Sequence, residues 1–322
     1  MNGALVEISQ LDKQYALSGG YFNAQKRIIH AVKQVDLQIF KGETLGVVGE
    51  SGCGKSTLAR LMTRLEKPTG GSINFKGENI YSYSREALKA YRRGVQIIFQ
   101  DTYSSLNPRK SALSMIREPL TIHSLGSAKE REEKALEMMS KVGLQKEQAN
   151  RYPHEFSGGQ RQRIGIARAL VLHPELIIAD EPVSSLDVSI QAQILNLLLD
   201  LKNDFNLTYM FISHDLNVIR FISDRIAVMY LGRIVELAFN ENIYSRPLHP
   251  YTRMLLDAVP SSDPQQKERK IKIKGEARLD NDQGCAFQNR CLYRVEICEK
   301  EEPPLKKFDE QSYCACHRAG SI

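Results

Sequence analysis

The sequence predicts an α/β protein in which a mainly parallel sheet is covered by helices. Apolar, β-branched runs recur along the chain and have the length and composition of buried strands. The segment Gln191 to Phe205, between two of these runs, has apolar residues at helical spacing. Alternation of strands and helices favours a parallel sheet with helical layers. The predicted strands are Leu45–Val48, Val95–Phe99, Leu176–Ala179, Tyr209–Ile212 and Arg225–Met229.

Two early segments, Ala4–Ile8 and Val32–Ile39, alternate between apolar and polar residues. This alternation predicts an antiparallel sheet with one exposed face.

Residues 129–150 are charged and helical, which indicates a helical subdomain inserted at about residues 101–172. After about Pro247 the chain becomes rich in Pro, Lys, Glu and Cys and loses its long apolar runs. We therefore predict a core over residues 1–245 and an accessory C-terminal extension over residues 246–322.

The bulk composition is that of an ordinary globular protein, with 322 residues, 42% hydrophobic content and a mild net charge of +6. The N-terminus lacks a basic region followed by an apolar stretch, so we expect no secretory signal. The apolar runs stop far short of the roughly 20 residues that span a bilayer. These features predict a cytosolic protein and leave open its attachment to a membrane through partners.

A glycine-rich loop between a predicted strand and a predicted helix meets the pattern G-x-x-x-x-G-K-S. Glycines let backbone N–H groups converge on phosphate oxygens, and the following helix N-terminus adds its positive dipole end. In such a loop the lysine reaches the β- and γ-phosphates and the serine hydroxyl binds Mg²⁺. The loop predicts ATP binding by Gly49, Glu50, Ser51, Gly52, Cys53, Gly54, Lys55, Ser56 and Thr57.

Two carboxylates, Asp180 and Glu181, follow the apolar strand Leu176–Ala179. The carboxyl ends of strands are where α/β folds bind ligands. We expect Asp180 to hold magnesium, directly or through water, and Glu181 to polarise the attacking water as general base.

A second candidate anion site precedes the helical run Arg161–Leu172. Ser157, Gly158, Gly159 and Gln160 place a serine and two glycines at a helix start. The chain already has one phosphate loop, and no internal repeat supplies a second nucleotide unit. The segment is therefore interpreted either as an ordinary helix cap or as a group that closes over the ATP of a neighbouring subunit.

Taken together, these motifs resemble the ATP-binding cassette (ABC) ATPases over residues 1–245. Three further motifs occur in the same order along the chain as in that family. They are Gln100 after a strand, the turn ending at Asp187, and His214 between Ser213 and Asp215. The resemblance implies that Gln100 senses magnesium and water, that His214 contacts the γ-phosphate, and that Asp187 contributes across a head-to-tail dimer. It also implies Mg²⁺ binding by Ser56, Gln100 and Asp180.

An aromatic residue stacks on the adenine in this family. Tyr15 is our candidate for that position, with Tyr21 and Phe22 in the neighbouring insertion as rivals. Packing of Tyr15 on the sheet edge is the alternative, since aromatic residues are common in strands.

Finer features are similar to the ATPases of oligopeptide and dipeptide importers, namely Phe99–Arg109, Pro247–Arg253 and Ala258–Pro260. The resemblance implies a fold with an ABC-type phosphate-loop core, an antiparallel β subdomain, a helical subdomain and a small cysteine-containing extension. It implies two membrane-spanning permease subunits, a second homologous ATPase as heterodimer partner, and an extracytoplasmic substrate-binding protein that acts indirectly. The chain would then lie peripherally at the cytoplasmic face of the membrane and bind no nucleic acid.

Three other functions stay open at this point. The first is a nickel importer ATPase of the same subfamily. The second is a soluble ABC ATPase that acts on nucleic acid or ribosomes, a class that usually has two cassettes or a long coiled-coil insertion. The third is a regulatory ATPase without transport.

The cysteines are unevenly placed. Cys53 lies in the phosphate loop, where it is either a small filler, the interpretation we favour, or an oxidation-sensitive switch. The other five crowd the last forty residues. Their spacing is not the C-x-x-C of zinc knuckles, yet thiolates so arranged could surround an iron–sulfur cluster, bind zinc or stay free. The resemblance to the importers implies a 4Fe-4S cluster held by Cys285, Cys291, Cys298 and Cys316, with Cys314 outside the pattern.

Overall fold

The computed structural model describes residues 3–17, 27–101, 105–258 and 283–321. The chain divides into two compact units. The first unit contains Phe40–Thr44 and Glu78–Ile212, and the second contains Leu5–Ile39, Leu45–Gly77 and Ser213–Ile322.

The strands within the described residues are β1 Ala4–Leu17, β2 Arg27–Phe40, β3 Thr44–Val48, β4 Gly70–Phe75, β5 Glu78–Asn79, β6 Val95–Ile98, β7 Leu176–Asp180, β8 Thr208–Ser213, β9 Arg225–Tyr230, β10 Arg233–Phe239, β11 Lys306–Lys307 and β12 Ser312–Cys314. The helices there are α1 Lys55–Met62, α2 Arg85–Gly94, α3 Ala112–Ile122, α4 Ala128–Lys141, α5 Gly158–Leu170, α6 Val188–Phe205, α7 Leu216–Ile222, α8 Asn240–Ser245, α9 Pro250–Asp257 and α10 Ile297–Lys300.

The first unit has a parallel core in which β7 lies between β6 and β8. Val95 aligns with Leu176, and Leu176 aligns with Thr208. Every residue of β7 and β8 is buried, which is why these runs are continuously apolar instead of alternating. The predicted buried parallel strands of this unit are confirmed.

The helices α3, α4 and α5 pack on one another in the first unit. The helix α4 begins with a capping box, because the Ser127 hydroxyl accepts from the Glu130 N–H and the Glu130 carboxylate accepts from the Ser127 N–H. Its buried residues are Ala135, Met138 and Met139, on one face of an otherwise charged helix. The charged helical segment seen in the sequence is thus an amphipathic element of a helical layer.

The second unit contains the antiparallel strands expected near the N-terminus. The strand β1 pairs with β4, with Val6 opposite Phe75 and Ile8 opposite Ile73. Along β2, Val35, Leu37 and Ile39 are buried, while Asp36 and Gln38 between them are exposed. This alternation confirms an antiparallel sheet with one exposed face.

A second sheet portion in this unit has the order β11-β12-β10-β9-β3. The strands β3 and β9 run parallel, and β10 pairs antiparallel with β9 on one side and β12 on the other. Glu236 of β10 lies opposite Cys314 of β12. The C-terminal extension therefore adds strands to the sheet that carries the phosphate loop. In the part of the chain that the structure describes, no helix is both long enough and apolar enough to cross a membrane.

We expect Ile178→Ala to lower the free energy of unfolding by about 2–5 kcal/mol, because a cavity opens where surrounding strands cannot collapse. Ile178 is fully buried, whereas Ile122 is 65% exposed and serves as the matched control. Urea unfolding followed by circular dichroism would measure both variants. Equal losses in Ile178→Ala and Ile122→Ala would contradict the placement of β7 in the core.

Candidate functional site

The phosphate loop of the second unit lies between β3 and α1, as the sequence predicts. Gly54 has φ +110°, and a Cβ there would lie 2.1 Å from the Ala31 carbonyl oxygen. A Cβ on Gly49 would lie 2.1 Å from the Met229 carbonyl oxygen. Neither position admits a side chain, so the backbone can pass close to its neighbours only with glycine.

Lys55 is buried within its own loop, with its side-chain ammonium bonded to backbone carbonyls. Its Nζ donates to the Gly49 oxygen at 2.7 Å and to the Glu50 oxygen at 3.0 Å. Lys55 is 5% exposed, and these acceptors offset part of the cost of burying the charge. The ammonium is thus held at the loop, where a phosphate group would be a stronger, charged acceptor.

Cys53 packs in the loop as a buried thiol. It is 4% exposed, and burial raises the pKa of its thiol above the ordinary value. A reactive thiol needs exposure and a lowered pKa. The structure therefore favours the interpretation of Cys53 as a filler.

Gln100 and Glu181 are brought together in the first unit. The Gln100 side-chain amide donates to the Glu181 carboxylate at 3.1 Å. Glu181 follows β7 with φ +48°, and its N–H donates to the Ile212 carbonyl oxygen at 2.9 Å. The left-handed conformation changes the direction of the chain at Glu181, immediately after β7. Asp180, the last residue of β7, is 9% exposed.

Ser157 caps α5 through a capping box. Its hydroxyl accepts from the Gln160 N–H at 3.3 Å, and the Gln160 side-chain oxygen accepts from the Ser157 N–H at 3.1 Å. Ser157 and Gly158 are exposed. A Cβ on Gly159 would lie 2.5 Å from Ile190 of α6. Asp187, also exposed, immediately precedes α6. The structure thus presents a helix N-terminus at the surface of the first unit.

Tyr15 is partly buried on β1, where its hydroxyl donates to the Glu66 carboxylate. The Lys13 ammonium lies 4.9 Å from the centre of the Tyr15 ring. Burial, reinforced by the hydrogen bond to Glu66, raises the pKa of Tyr15. The rival residues Tyr21 and Phe22 lie outside the described residues, as do residues 102–104 and 259–260 of the segments compared above.

His214 is exposed on the loop after β8. The neighbouring Asp215 N–H donates to the Ser213 hydroxyl at 3.0 Å, and the Asp215 carboxylate caps α7 by accepting from the Asn217 N–H at 2.8 Å. These two bonds fix the backbone on the C-terminal side of His214.

The four cysteines predicted to bind a cluster line one pocket of the second unit. Cys285, Cys291, Cys298 and Cys316 all contribute to its wall. The Cys285 N–H donates to the Cys298 oxygen at 2.8 Å, and Gly284, at φ +74°, permits this close approach. Burial raises the pKa of the Cys285 thiol to about 11 and also raises the pKa of Cys291 and Cys316.

The same pocket is not arranged as a ready metal site. Within residues 3–17, 27–101, 105–258 and 283–321, no group of three or more His, Cys, Asp or Glu side chains is placed to hold a metal ion. Cys314 is buried in β12 and is not part of the pocket wall. In the described residues the four thiols therefore line one pocket without forming such a group.

Two residues of the extension contact the phosphate loop, and the sequence did not assign them a role. The Glu50 N–H donates to the Tyr251 hydroxyl at 2.9 Å. Both terminal nitrogens of Arg290 donate to the Glu50 carboxylate, each at 2.8 Å. These partners are 201 and 240 residues apart in the chain, so local patterns carry no signal of the contact.

Two family descriptions match the chain. Residues 32–184 match the family described as ABC transporter, and residues 235–298 match the oligopeptide/dipeptide transporter, C-terminal region. The chain is 50% identical to the oligopeptide transport ATP-binding protein AppF of Bacillus subtilis (strain 168), over 97% of each protein. It is 48% identical to the dipeptide transport ATP-binding protein DppF of Escherichia coli (strain K12), over 95% of this chain and 92% of that protein.

A solved structure shares the fold. It is the dimeric structure of a post-hydrolysis state of the ATP-binding cassette MJ0796 bound to ADP and Pi, with 33% identity and a TM-score of 0.65. The match covers 73% of this chain and 98% of that chain. The cassette part of the chain thus has a known structural counterpart.

Proposed function

This chain belongs to the ABC transporter ATP-binding subunits of the oligopeptide/dipeptide type, and from that premise we propose that it hydrolyses ATP to drive import of dipeptides or oligopeptides. One observation carries the ATPase part, namely the glycine-dependent phosphate loop with its buried Lys55. The C-terminal family match and the names of the relatives support the peptide part.

The loop from Gly49 to Thr57 binds the phosphates in this proposal. Lys55 exchanges its carbonyl partners for phosphate oxygens, and the α1 N-terminus contributes its dipole. The Ser56 hydroxyl, the Asp180 carboxylate and the Gln100 amide are the oxygen donors that would hold Mg²⁺, which prefers such ligands. The ion neutralises charge that develops on the β- and γ-phosphates. Tyr15 stacks on the adenine.

Glu181 is the general base of the reaction. Its carboxylate accepts a proton from water as the water oxygen attacks the γ-phosphorus. The bond between the γ-phosphorus and the β–γ bridging oxygen breaks, and ADP and phosphate are the products. The hydrogen bond from Gln100 orients the carboxylate before the step. His214 contacts the γ-phosphate from the loop after β8.

A second subunit completes the site. The N-terminus of α5 is exposed at Ser157 and Gly158, and Asp187 lies near it. Together with Gly159 and Gln160, this segment covers a partner's ATP in our proposal. The dimeric state of the MJ0796 cassette supports this arrangement.

We further propose that the chain forms a heterodimer with a similar ATPase and binds two permease subunits, with an extracytoplasmic substrate-binding protein acting indirectly. The complex would place this chain peripherally at the cytoplasmic face of the membrane.

The cysteine pocket binds a 4Fe-4S cluster in the same proposal. Four thiols line one pocket, and soft thiolates suit iron–sulfur centres and zinc. The cluster would be held by Cys285, Cys291, Cys298 and Cys316 after these side chains rearrange and lose their protons. The cluster would stabilise the extension, because phosphoryl transfer needs no electrons.

Glu181→Gln should retain ATP binding and lower turnover about 100-fold or more, because the amide cannot accept the proton. Turnover and retained nucleotide are measured on the purified complex. Glu137→Gln, on an α4 side chain that is 68% exposed, is the matched control. Undiminished turnover in Glu181→Gln would contradict its role as base.

The transport assignment predicts the composition of the native complex. Two hydrophobic permeases and a second ATPase should purify with this chain, and dipeptide or oligopeptide uptake should fail in cells that carry Lys55→Ala. Loss of nickel uptake alone would favour the nickel importer. If the permeases are absent and nucleic acid stimulates hydrolysis, the chain is the nucleic-acid ATPase. If the permeases are absent and nucleic acid has no effect on hydrolysis, a regulatory ATPase is favoured.

Anaerobically purified protein should be brown, with four irons per chain and a broad absorption band near about 400 nm. Replacing Cys298 with Ser should lower iron content strongly, whereas Cys314→Ser, outside the pocket wall, should keep it. One zinc per chain without iron would establish the zinc site instead. Neither metal in anaerobic protein would leave the pocket as free thiols and overturn the cluster.

A further inference from the structure

The phosphate loop and the C-terminal extension of the second unit are joined at Glu50. Arg290 donates two parallel hydrogen bonds to its carboxylate, both at 2.8 Å. The Arg290 side chain is 7% exposed and that of Glu50 is 35% exposed. Bidentate pairs between a guanidinium and a carboxylate fix geometry as well as adding energy. Arg290 therefore restrains where the Glu50 side chain lies.

The Glu50 backbone is restrained independently. Its N–H donates to the hydroxyl of Tyr251, a side chain that is fully buried. This N–H is consequently directed to the extension, so the phosphate contacts must come from N–H groups later in the loop. The position of Glu50 therefore determines the starting position of the later loop residues, whose N–H groups would contact phosphate.

Tyr251 is itself held by a series of hydrogen bonds. The buried Glu236 carboxylate accepts from the N–H groups of Leu248 and His249, at 2.8 and 2.9 Å. The His249 Nδ1 in turn accepts from the Tyr251 N–H at 3.0 Å. Each bond lies in the buried core of the unit, so the Tyr251 hydroxyl has a defined position before any ligand arrives.

Arg290 is also packed from its sides. Its guanidinium carbon lies 5.9 Å from the centre of the Tyr230 ring and 5.8 Å from that of Phe287. Aromatic rings at such distances attract and orient a guanidinium. The result is an arginine fixed on one side by aromatic rings and on the other by the Glu50 carboxylate.

We propose that Tyr251 and Arg290 are positioning residues of the phosphate loop, which hold Glu50 so that the loop is already formed when nucleotide binds. The proposal rests on the proposed ATPase function. It assigns the extension a part in nucleotide affinity, because a preorganised loop avoids the ordering cost of binding. Neither residue touches the reacting atoms, so the chemical step itself depends on them little.

Arg290→Gln should weaken binding of a non-hydrolysable ATP analogue about tenfold, since one charged partner of a part-buried pair is lost. In the assembled complex the KM for ATP should rise by a similar factor with kcat within about twofold. Arg290→Lys, which keeps the charge without the bidentate geometry, should recover part of the affinity. Arg294→Gln, whose side chain is 39% exposed and pairs with Glu299, is the matched control and should match the wild type.

Tyr251→Phe tests the second contact, with Tyr209→Phe as its control. Both tyrosines are fully buried and each loses one hydroxyl bond, but Tyr209 donates to the Leu198 oxygen, away from the loop. We expect weaker analogue binding in Tyr251→Phe and unchanged binding in Tyr209→Phe. The pair Glu50→Gln and Arg290→Gln should be non-additive, because the first change already removes the charged partner.

Folding is checked by the unfolding midpoint of every variant. Wild-type affinity in folded Arg290→Gln and Tyr251→Phe, with a lower midpoint alone, would overturn the positioning role and leave a structural one. If Arg290→Gln does not fold, the milder Arg290→Lys and Tyr251→Phe carry the test. If the wild-type chain itself fails to bind the analogue, the ATPase function is wrong, which is a distinct result.

Discussion

The close approach of the phosphate loop to its neighbouring backbone is the constraint on which the rest of the second unit depends. At Gly49 and Gly54 a Cβ would lie 2.1 Å from the carbonyl oxygens of Met229 and Ala31. These carbonyls belong to strands β9 and β2, so the loop takes its shape from two elements distant in sequence. Lys55 then bonds to the loop itself. The conformation of the phosphate loop thus depends on the neighbouring strands as well as on its own residues.

Much of this arrangement is predictable from the sequence because the chemistry is local. The loop residues are consecutive, and the strand before them and the helix after them have clear periodicity. The burial of β7 and β8 likewise follows from their apolar runs. The contact between Gln100 and Glu181 has no local signal. The position at the end of a buried strand predicted Glu181, whereas only the resemblance to a family supplied Gln100.

The contacts of the extension are the part that sequence patterns miss. Arg290 and Tyr251 meet Glu50 across more than 200 residues, and the strand β12 pairs with β10 although its three residues form no apolar run. Loss of long apolar runs after Pro247 suggested an accessory region, yet this region is bonded to the loop that binds phosphate in our proposal. Its cysteine pocket, one residue from Arg290 at Cys291, adjoins the same contacts.

As the ATPase of a peptide importer, this chain must couple ATP hydrolysis to the movement of peptide, and this coupling is what must be measured. The direct measurement is peptide accumulation in vesicles that contain the whole complex, with ATP supplied on the side of this chain and binding protein on the other. The account predicts accumulation that requires ATP and disappears with Lys55→Ala in this subunit. ATP hydrolysis by the intact complex without accumulation of any dipeptide or oligopeptide would contradict it.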